Sequence, residues 1–287
     1  MASQNHPQRW ILMLLLLAWL LPASGVVQAQ TDSELEFPWE KTIGIVRVFS
    51  DFDLATLNGL QSDIEELQDD LINYLGVPRP QEEIHLFLFS NSEGYLRYIH
   101  KRWPGAPLDR PALYVKDRGP GSLMIRKDNQ ILLNVRHEMT HAILNASLMH
   151  VPIWLDEGLA KYFEVPRGKR GFENPFLSTV RQNTTFLFFS RAPSLERLEH
   201  LSQVQQMGER EYRESWAWVH FLIHYSQETH YLLAEYLASL RPEYQSKLTA
   251  EQVADLQKSS PLTARLKEQF PDYKKIYVAH FKNWEKK

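Results

Sequence analysis

One segment, residues 131–157, constrains the fold of this chain more than any other. Apolar side chains recur in it at three- and four-residue spacings, which is typical of the buried face of an α-helix. Residues 137–141 read HEMTH, so His137 and His141 are four positions apart and project from the same helix face. Glu138 lies about 100° around the helix from His137. This spacing predicts two imidazoles that bind one metal ion, with a carboxylate beside them to act as a base.

A third metal ligand is expected on a second helix. Residues 152–163 predict a short helix after a turn, and Glu157 stands 16 positions after His141 within it. Asp156 is the competing ligand, although it also suits the first turn of a helix, where a carboxylate complements the helix dipole. Gly158 is small and allows this helix to approach a neighbour closely. We therefore expect Glu157 to complete a site with His137 and His141.

This pattern resembles that of a known family. HExxH followed by an acid within WLDEGLA (154–160) resembles the gluzincin metallopeptidases, the thermolysin-like clan, and especially their compact peptidase MA-like members. The resemblance covers about residues 131–165 and implies one Zn²⁺ per chain, held by His137, His141 and Glu157. It also implies hydrolysis of peptide bonds, with an edge strand of the 112–127 hairpin pairing with the substrate backbone.

The chain also departs from related patterns. Ser147 stands where a metzincin would have its third histidine, so that class is excluded. The Gly-x-Met-Glu-Asn motif of the large gluzincin aminopeptidases is absent from the sequence. Lys161 stands where thermolysin has an aspartate, so the carboxylate that would orient His137 is not identified by the resemblance.

Two histidines and one glutamate leave a coordination position open for water, as catalytic zinc sites do. Zinc lowers the pKa of bound water from 15.7 to about 7, and Glu138 would take the proton during attack on a carbonyl. Gluzincins commonly supply a Tyr or His to stabilise the oxyanion some 55–65 residues beyond the ligand glutamate. Tyr212, 55 residues beyond Glu157, is the first candidate, and His220 and His224 are the alternatives.

The predicted function is a secreted zinc metallopeptidase that acts on a peptide or protein substrate. Two alternatives are a non-catalytic envelope protein that uses the zinc scaffold for binding, and a zinc hydrolase of a non-peptide amide or ester. With 35 acidic and 32 basic residues, the chain has no basic excess that would indicate nucleic-acid binding. It contains no cysteine, which excludes disulfides and thiolate ligands.

The N-terminal segment predicts export. Arg9 precedes a 12-residue apolar run at 10–21, and small residues near Ala29 offer a cleavage point, so residues 1–29 are predicted to be a signal peptide. The run is short for a membrane span, and no stable membrane insertion is expected after cleavage. We therefore expect a secreted or periplasmic protein, with a bacterial envelope as its setting.

The remaining chain predicts an α+β fold. Residues 30–165 are expected to form a small mixed α/β lobe that carries the HExxH helix, and 166–287 a mostly helical lobe, with a basic linker at 165–172. In the first lobe the expected strands are 42–50, 83–89, 112–117 and 122–127, and the expected helices are 54–74, 92–103, 131–146 and 152–163. In the second lobe, helices are expected at 212–225, 231–240, 250–256, 261–270 and 272–284.

Several polar residues are candidate helix caps. Asp128 and Asn129 could cap the HExxH helix, Asp51 or Asp53 the helix from 54, and Thr249 and Ser260 later helices. Trp216 and Trp218 are expected in the core.

Overall fold

A five-stranded mixed sheet occupies the first half of the chain. The structure is a computed structural model that describes residues 36–107, 109–117, 119–185, 191–258 and 261–284. The predicted signal peptide and the predicted cap Ser260 lie outside these ranges. The strand order is β1-β2-β3-β5-β4, where the strands are β1 (Trp39–Ile43), β2 (Val46–Ser50), β3 (Ile84–Phe89), β4 (Ala112–Val115) and β5 (Gly121–Arg126). The three central strands are parallel, and β1 and β4 are antiparallel edge strands.

The prediction of a single strand over 42–50 is wrong. β1 and β2 form a tight hairpin, with Gly44 at the turn in a left-handed conformation (φ 61°). A Cβ atom at Gly44 would lie 2.4 Å from the side-chain oxygen of Gln68, so the position favours glycine on two counts. The apolar alternation continues through the turn, which is why it suggested one uninterrupted strand.

The predicted long helix over 54–74 is interrupted. Asp53 caps a short 3₁₀ turn over Leu54–Thr56, and Gly59 in the left-handed region (φ 93°) then precedes α1 (Leu60–Asp69). The Asp53 alternative for the cap is therefore confirmed. A π-helical turn over Asp70–Tyr74 continues α1. Periodicity placed most of the buried face of this segment correctly, but Tyr74, which was also expected on that face, is 49% exposed. The single glycine breaks the helix.

Three helices follow the strands as expected: α2 (Ser92–Arg102), α3 (Ile131–Ser147) and α4 (Ile153–Phe163). Gln130 occupies the N-cap of α3 and makes no side-chain cap bond. Asp128 instead accepts a hydrogen bond from the Gln130 N–H at 2.8 Å, so the predicted caps are wrong. The apolar side chains of α3, including Met139 and Ile143, are buried in the main core together with those of the sheet.

The rest of the chain is mostly helical, which confirms the predicted fold class. The helices are α5 (Phe176–Thr185), α6 (Leu195–Glu199), α7 (Glu209–His224), α8 (Gln227–Ser239), α9 (Pro242–Gln245), α10 (Ala250–Lys258), α11 (Pro261–Gln269) and α12 (Tyr273–Lys282). Thr249 accepts a hydrogen bond from the Gln252 N–H at 3.2 Å, as its predicted capping role requires. Within the described ranges, no helix is long and apolar enough to cross a bilayer.

α4 packs tightly between α3 and α7. At Gly158, an added Cβ atom would lie 2.8 Å from the backbone oxygen of Ser215 on α7. The two helices therefore approach closely only because position 158 has no side chain. Trp216 and Trp218, also on α7, are fully buried, so their predicted place in the core is confirmed.

The basic segment after α4, residues 165–172, forms ion pairs with the end of α1 and with the π-helical turn that follows it. Arg167 contacts the carboxylates of Asp69 and Asp70 at 2.6 Å each. Arg170 is buried and forms an ion pair with Asp70, while its guanidinium also lies over the ring of Phe163. These contacts fix the path of the chain as it leaves the helix that carries Glu157.

Candidate metal centre

Three side chains from α3 and α4 converge on one point. Nε2 of His137 lies 3.3 Å from Nε2 of His141 and 3.8 Å from Oε2 of Glu157, and Nε2 of His141 lies 3.7 Å from the same oxygen. His141 and Glu157 are buried, and His137 is partly buried. The arrangement can hold a metal ion, as the sequence predicted.

The separations match the size of a first-row divalent ion. An atom equidistant from three points with these separations lies about 2.1 Å from each, close to the Zn–N and Zn–O bond lengths of about 2.0–2.2 Å. Two imidazoles and one carboxylate are also a donor set that zinc accepts readily. The residues present therefore fit a metal of this class.

A carboxylate that sequence reasoning did not identify orients His137. Oε2 of Glu164, at the C-terminal end of α4, lies 2.9 Å from Nδ1 of His137. Lys161 contacts the same oxygen at 2.9 Å. Burial alone would raise the pKa of Glu164, but the hydrogen bond from His137 and the charge of Lys161 lower it below its usual value. Glu164 follows Glu157 by seven residues, two helical turns along the same face, which is the signal that could have found it.

Asp156 supports His141 and does not join the group of three ligands. Its Oδ2 atom lies 3.0 Å from Nδ1 of His141. Both imidazoles thus have a carboxylate on the Nδ1 side, and both turn Nε2 towards Glu157. This arrangement favours protons on Nδ1 and leaves the Nε2 lone pairs facing the centre of the site.

The electrostatics of the site favour positive charge at its centre. Burial on its own would lower the pKa of His141, but nearby carboxylates, chiefly Asp156 and then Glu157, raise it to about 10. A pKa shift of this size reflects several negative charges close to a buried imidazole, where water does not screen their effect. Without a metal ion, His141 therefore keeps a proton on each ring nitrogen at neutral pH, and the proton on Nε2 must leave before that atom binds a metal.

A cavity of about 650 Å³ opens over the three ligands. Its wall includes Glu138 and Tyr212, so the structure brings both predicted catalytic side chains to the site. The cavity also has an apolar portion formed by side chains from β4, α3, α5 and the segment before α7: Leu113, Leu133, Phe176 and Val204. Its volume lies within the range of about 300–1,000 Å³ that is typical of ligand-binding pockets.

Of the three candidates for oxyanion stabilisation, only Tyr212 lies at the cavity. Burial raises the pKa of the Tyr212 phenol, and the nearby charge of Glu157 raises it further, so the phenol remains a hydrogen-bond donor at neutral pH. His220 is fully buried and lies 3.1 Å from a ring nitrogen of His280. His224 lies 2.8 Å from the hydroxyl of Tyr162, and neither histidine lines the cavity.

The backbone of the edge strand β4 alternates in direction beside the cavity. The Arg126 N–H donates to the Pro111 carbonyl at 2.9 Å, so position 111 directs its backbone towards β5. Backbone directions alternate along an antiparallel strand, so Leu113 also points towards β5, whereas Ala112 and Tyr114 point away from it. Both outward-pointing residues line the cavity. Their N–H and C=O groups therefore make no ladder bond with β5, and Ala112 is buried whereas Tyr114 is partly exposed.

Comparisons with known proteins identify no family for this chain. No protein-family model matches it, and no curated protein shows significant similarity. The assignment of a function therefore depends on the geometry of the site and on the chemistry of its side chains.

Proposed function

We propose that the protein is a zinc-dependent peptidase of the gluzincin type. The observation that carries the proposal is the convergence of two imidazole nitrogens and a carboxylate oxygen, 3.3–3.8 Å apart, at the floor of an open cavity. A site that serves only the fold is normally closed by four protein ligands. Here three ligands face a cavity large enough for a peptide.

Zn²⁺ held by His137, His141 and Glu157 would supply a Lewis acid that polarises the scissile carbonyl and makes water more acidic. Glu138 lies next to His137 in sequence and lines the same cavity, so its carboxylate is available to accept the proton of the attacking water. The same carboxylate then delivers that proton to the leaving amine. The phenolic hydroxyl of Tyr212 donates a hydrogen bond to the oxyanion as negative charge develops on that oxygen.

The remaining parts of the site hold the reactants in place. Glu164 and Asp156 fix the two imidazole rings by contacts to their Nδ1 atoms, which keeps Nε2 directed at the centre. Ala112 and Tyr114 offer backbone N–H and C=O groups to an extended substrate, which would add a strand to the edge of the sheet. A peptide bound in this way would pass over the ligands in a regular register.

The test compares three proteins that carry residues 30–287: the wild type, Glu138→Gln and His137→Ala. Each is loaded with zinc, dialysed, analysed for metal and incubated with a mixed peptide library read by mass spectrometry. We expect about one zinc per chain in the wild type and in Glu138→Gln, and far less in His137→Ala. Only the wild type should cleave peptides, with Glu138→Gln slower by about 10²–10⁴-fold.

Each contrary result has a distinct meaning. Cleavage by Glu138→Gln at the wild-type rate would show that Glu138 is not the general base. Wild-type protein that holds zinc but cleaves no peptide would favour a binding role or a non-peptide substrate. Amide and ester substrates without a peptide backbone, including amidated glycans, then separate these two alternatives, because only a hydrolase would cleave them.

A further inference from the structure

The charges on the cavity wall are unequal. Within the described residues, five acids line the cavity, namely Glu138, Asp156, Glu157, Glu164 and Glu209, whereas its basic residues are Arg110 and Lys161. Lys161 is already engaged, because its ammonium group contacts the Glu164 carboxylate at 2.9 Å. Arg110 is exposed, and no carboxylate of the described chain lies within ion-pair distance of it. Among the residues that the structure describes, it is therefore a cation at the cavity without an anionic partner.

Arg110 lies in a bend just before β4, two residues ahead of Ala112, so the Cα atoms of the two residues are at most about 7 Å apart. A peptide paired with Ala112 and Tyr114 would pass within reach of its long side chain. Arg110 also lies close enough to Tyr212 for its charge to act there: burial and Glu157 raise the pKa of that phenol, and Arg110 opposes them. The guanidinium is thus on the catalytic side of the strand.

We infer that Arg110 binds a carboxylate of the substrate and makes the enzyme selective for acidic peptides. The inference rests on the proposed peptidase function and names its substrate class. A guanidinium matches a carboxylate by two parallel hydrogen bonds, which a neutral amide cannot reproduce. The acidic wall adds selectivity in position, because a substrate carboxylate placed elsewhere in the cavity meets charges of its own sign. The carboxylate is either an acidic side chain or the free C-terminus.

The test uses one cleavable peptide in three forms: an internal glutamate with an amidated C-terminus, glutamine in its place with the same amide, and glutamine with a free C-terminus. For each form, kcat and KM are measured with wild type, Arg110→Gln and Arg102→Gln. Arg102 is an exposed arginine outside the cavity, so its substitution removes the same charge without touching the site. We expect wild type to prefer one acidic form over the neutral form by about tenfold, mainly through KM.

The acidic-over-neutral ratio should fall to about 1 in Arg110→Gln and stay at the wild-type value in Arg102→Gln. Arg110→Glu should reverse the preference towards a peptide with lysine at the same position. The form that loses its advantage identifies the source of the carboxylate. An unchanged ratio in Arg110→Gln would overturn the inference while leaving the peptidase proposal intact.

Equilibrium binding separates the two proposals if no peptide is cleaved. The same peptides, labelled for fluorescence anisotropy, are titrated with zinc-loaded Glu138→Gln with and without Arg110→Gln. Tighter binding of an acidic form that depends on Arg110 supports the inference even without turnover. Equal binding of all three forms, or none, overturns it.

Discussion

Replacing Glu164 with glutamine tests whether a buried carboxylate 2.9 Å from Nδ1 of His137 sets the metal affinity of the site. The substitution keeps the size of the side chain and removes its charge. The backbone anchor of this position is retained, because the Glu164 carbonyl still accepts the hydrogen bond from Nε of Arg136 at 2.7 Å. A change in metal binding would therefore report the lost charge and not a displaced helix.

The expected magnitude follows from the type of hydrogen bond. A bond to a charged group contributes about 1.5–3 kcal/mol and a neutral bond about 0.5–1.5 kcal/mol, so glutamine should cost roughly 1–1.5 kcal/mol. That corresponds to about a tenfold weaker Kd for zinc. Glu164→Ala removes the partner altogether and should approach a hundredfold loss. Lys161 adds to the effect, since its ammonium group, 2.9 Å from Glu164, would remain beside His137 without its partner.

Zinc affinity is measured by competition with a chromophoric chelator at fixed pH. Glu243→Gln is the matched control, because this exposed glutamate on α9 lies outside the cavity and its loss changes the net charge equally. Urea unfolding of each metal-free variant shows whether the fold is intact. A Kd for Glu164→Gln and Glu164→Ala within twofold of the control would refute the role of Glu164.

Three further outcomes are expected. Ala112→Pro removes an N–H that points away from β5, so it should raise the KM for peptides. Because Ala112 is buried, the larger ring should also lower the free energy of unfolding by about 1–3 kcal/mol; unchanged peptide kinetics in the folded variant would exclude strand pairing there. Gly158→Ala places a Cβ atom 2.8 Å from a backbone oxygen of α7 and should lower the free energy of unfolding in urea by about 1–3 kcal/mol. The control Gly105→Ala, with no atom within 4 Å of the added Cβ, should change the free energy of unfolding by less than about 0.5 kcal/mol. Burial lowers the pKa of His224 and of His280 to about 4, so both are neutral in the folded state and the unfolded chain binds more protons below about 6.5. Stability of the metal-free protein should therefore fall between pH 6.5 and 4, by roughly 3 kcal/mol for His224 alone, and His280→Gln should reduce that pH dependence.

The metal ligands were predictable because their geometry is local. The i, i+4 spacing of His137 and His141 fixes their relation once α3 is a helix, and the three- and four-residue apolar spacings of 131–146 predict that helix. Glu157 required the further expectation that α4 packs against α3. The spacing of seven residues from Glu157 could have suggested Glu164 as the partner of His137, but its contact with Nδ1 also depends on the angle at which α4 crosses α3, which periodicity does not determine.

The predicted boundaries of strands and helices were wrong where a single residue sets the backbone conformation. Gly44 and Gly59 adopt left-handed conformations that end a strand and delay a helix, yet the apolar pattern runs on through both. The chain beyond 165 was predicted to be mostly helical, but without bounds for α5 and α6, because helices of 10 and 5 residues carry few periodic positions. α5 packs against α7 and α12, and α6 packs against α4 and α7; a local pattern does not reveal these contacts.

The place of α4 between its neighbours has a consequence for biosynthesis. A ribosome releases His137 and His141 first, and Glu157 some 16 residues later, but the wall that seats α4 at Gly158 comes from α7, more than 50 residues further on. Until that wall has emerged, a nascent chain would offer a pair of imidazoles and a loosely held acid, which would hold a metal ion weakly. We therefore expect tight binding of a metal ion only after α7 has packed against α4.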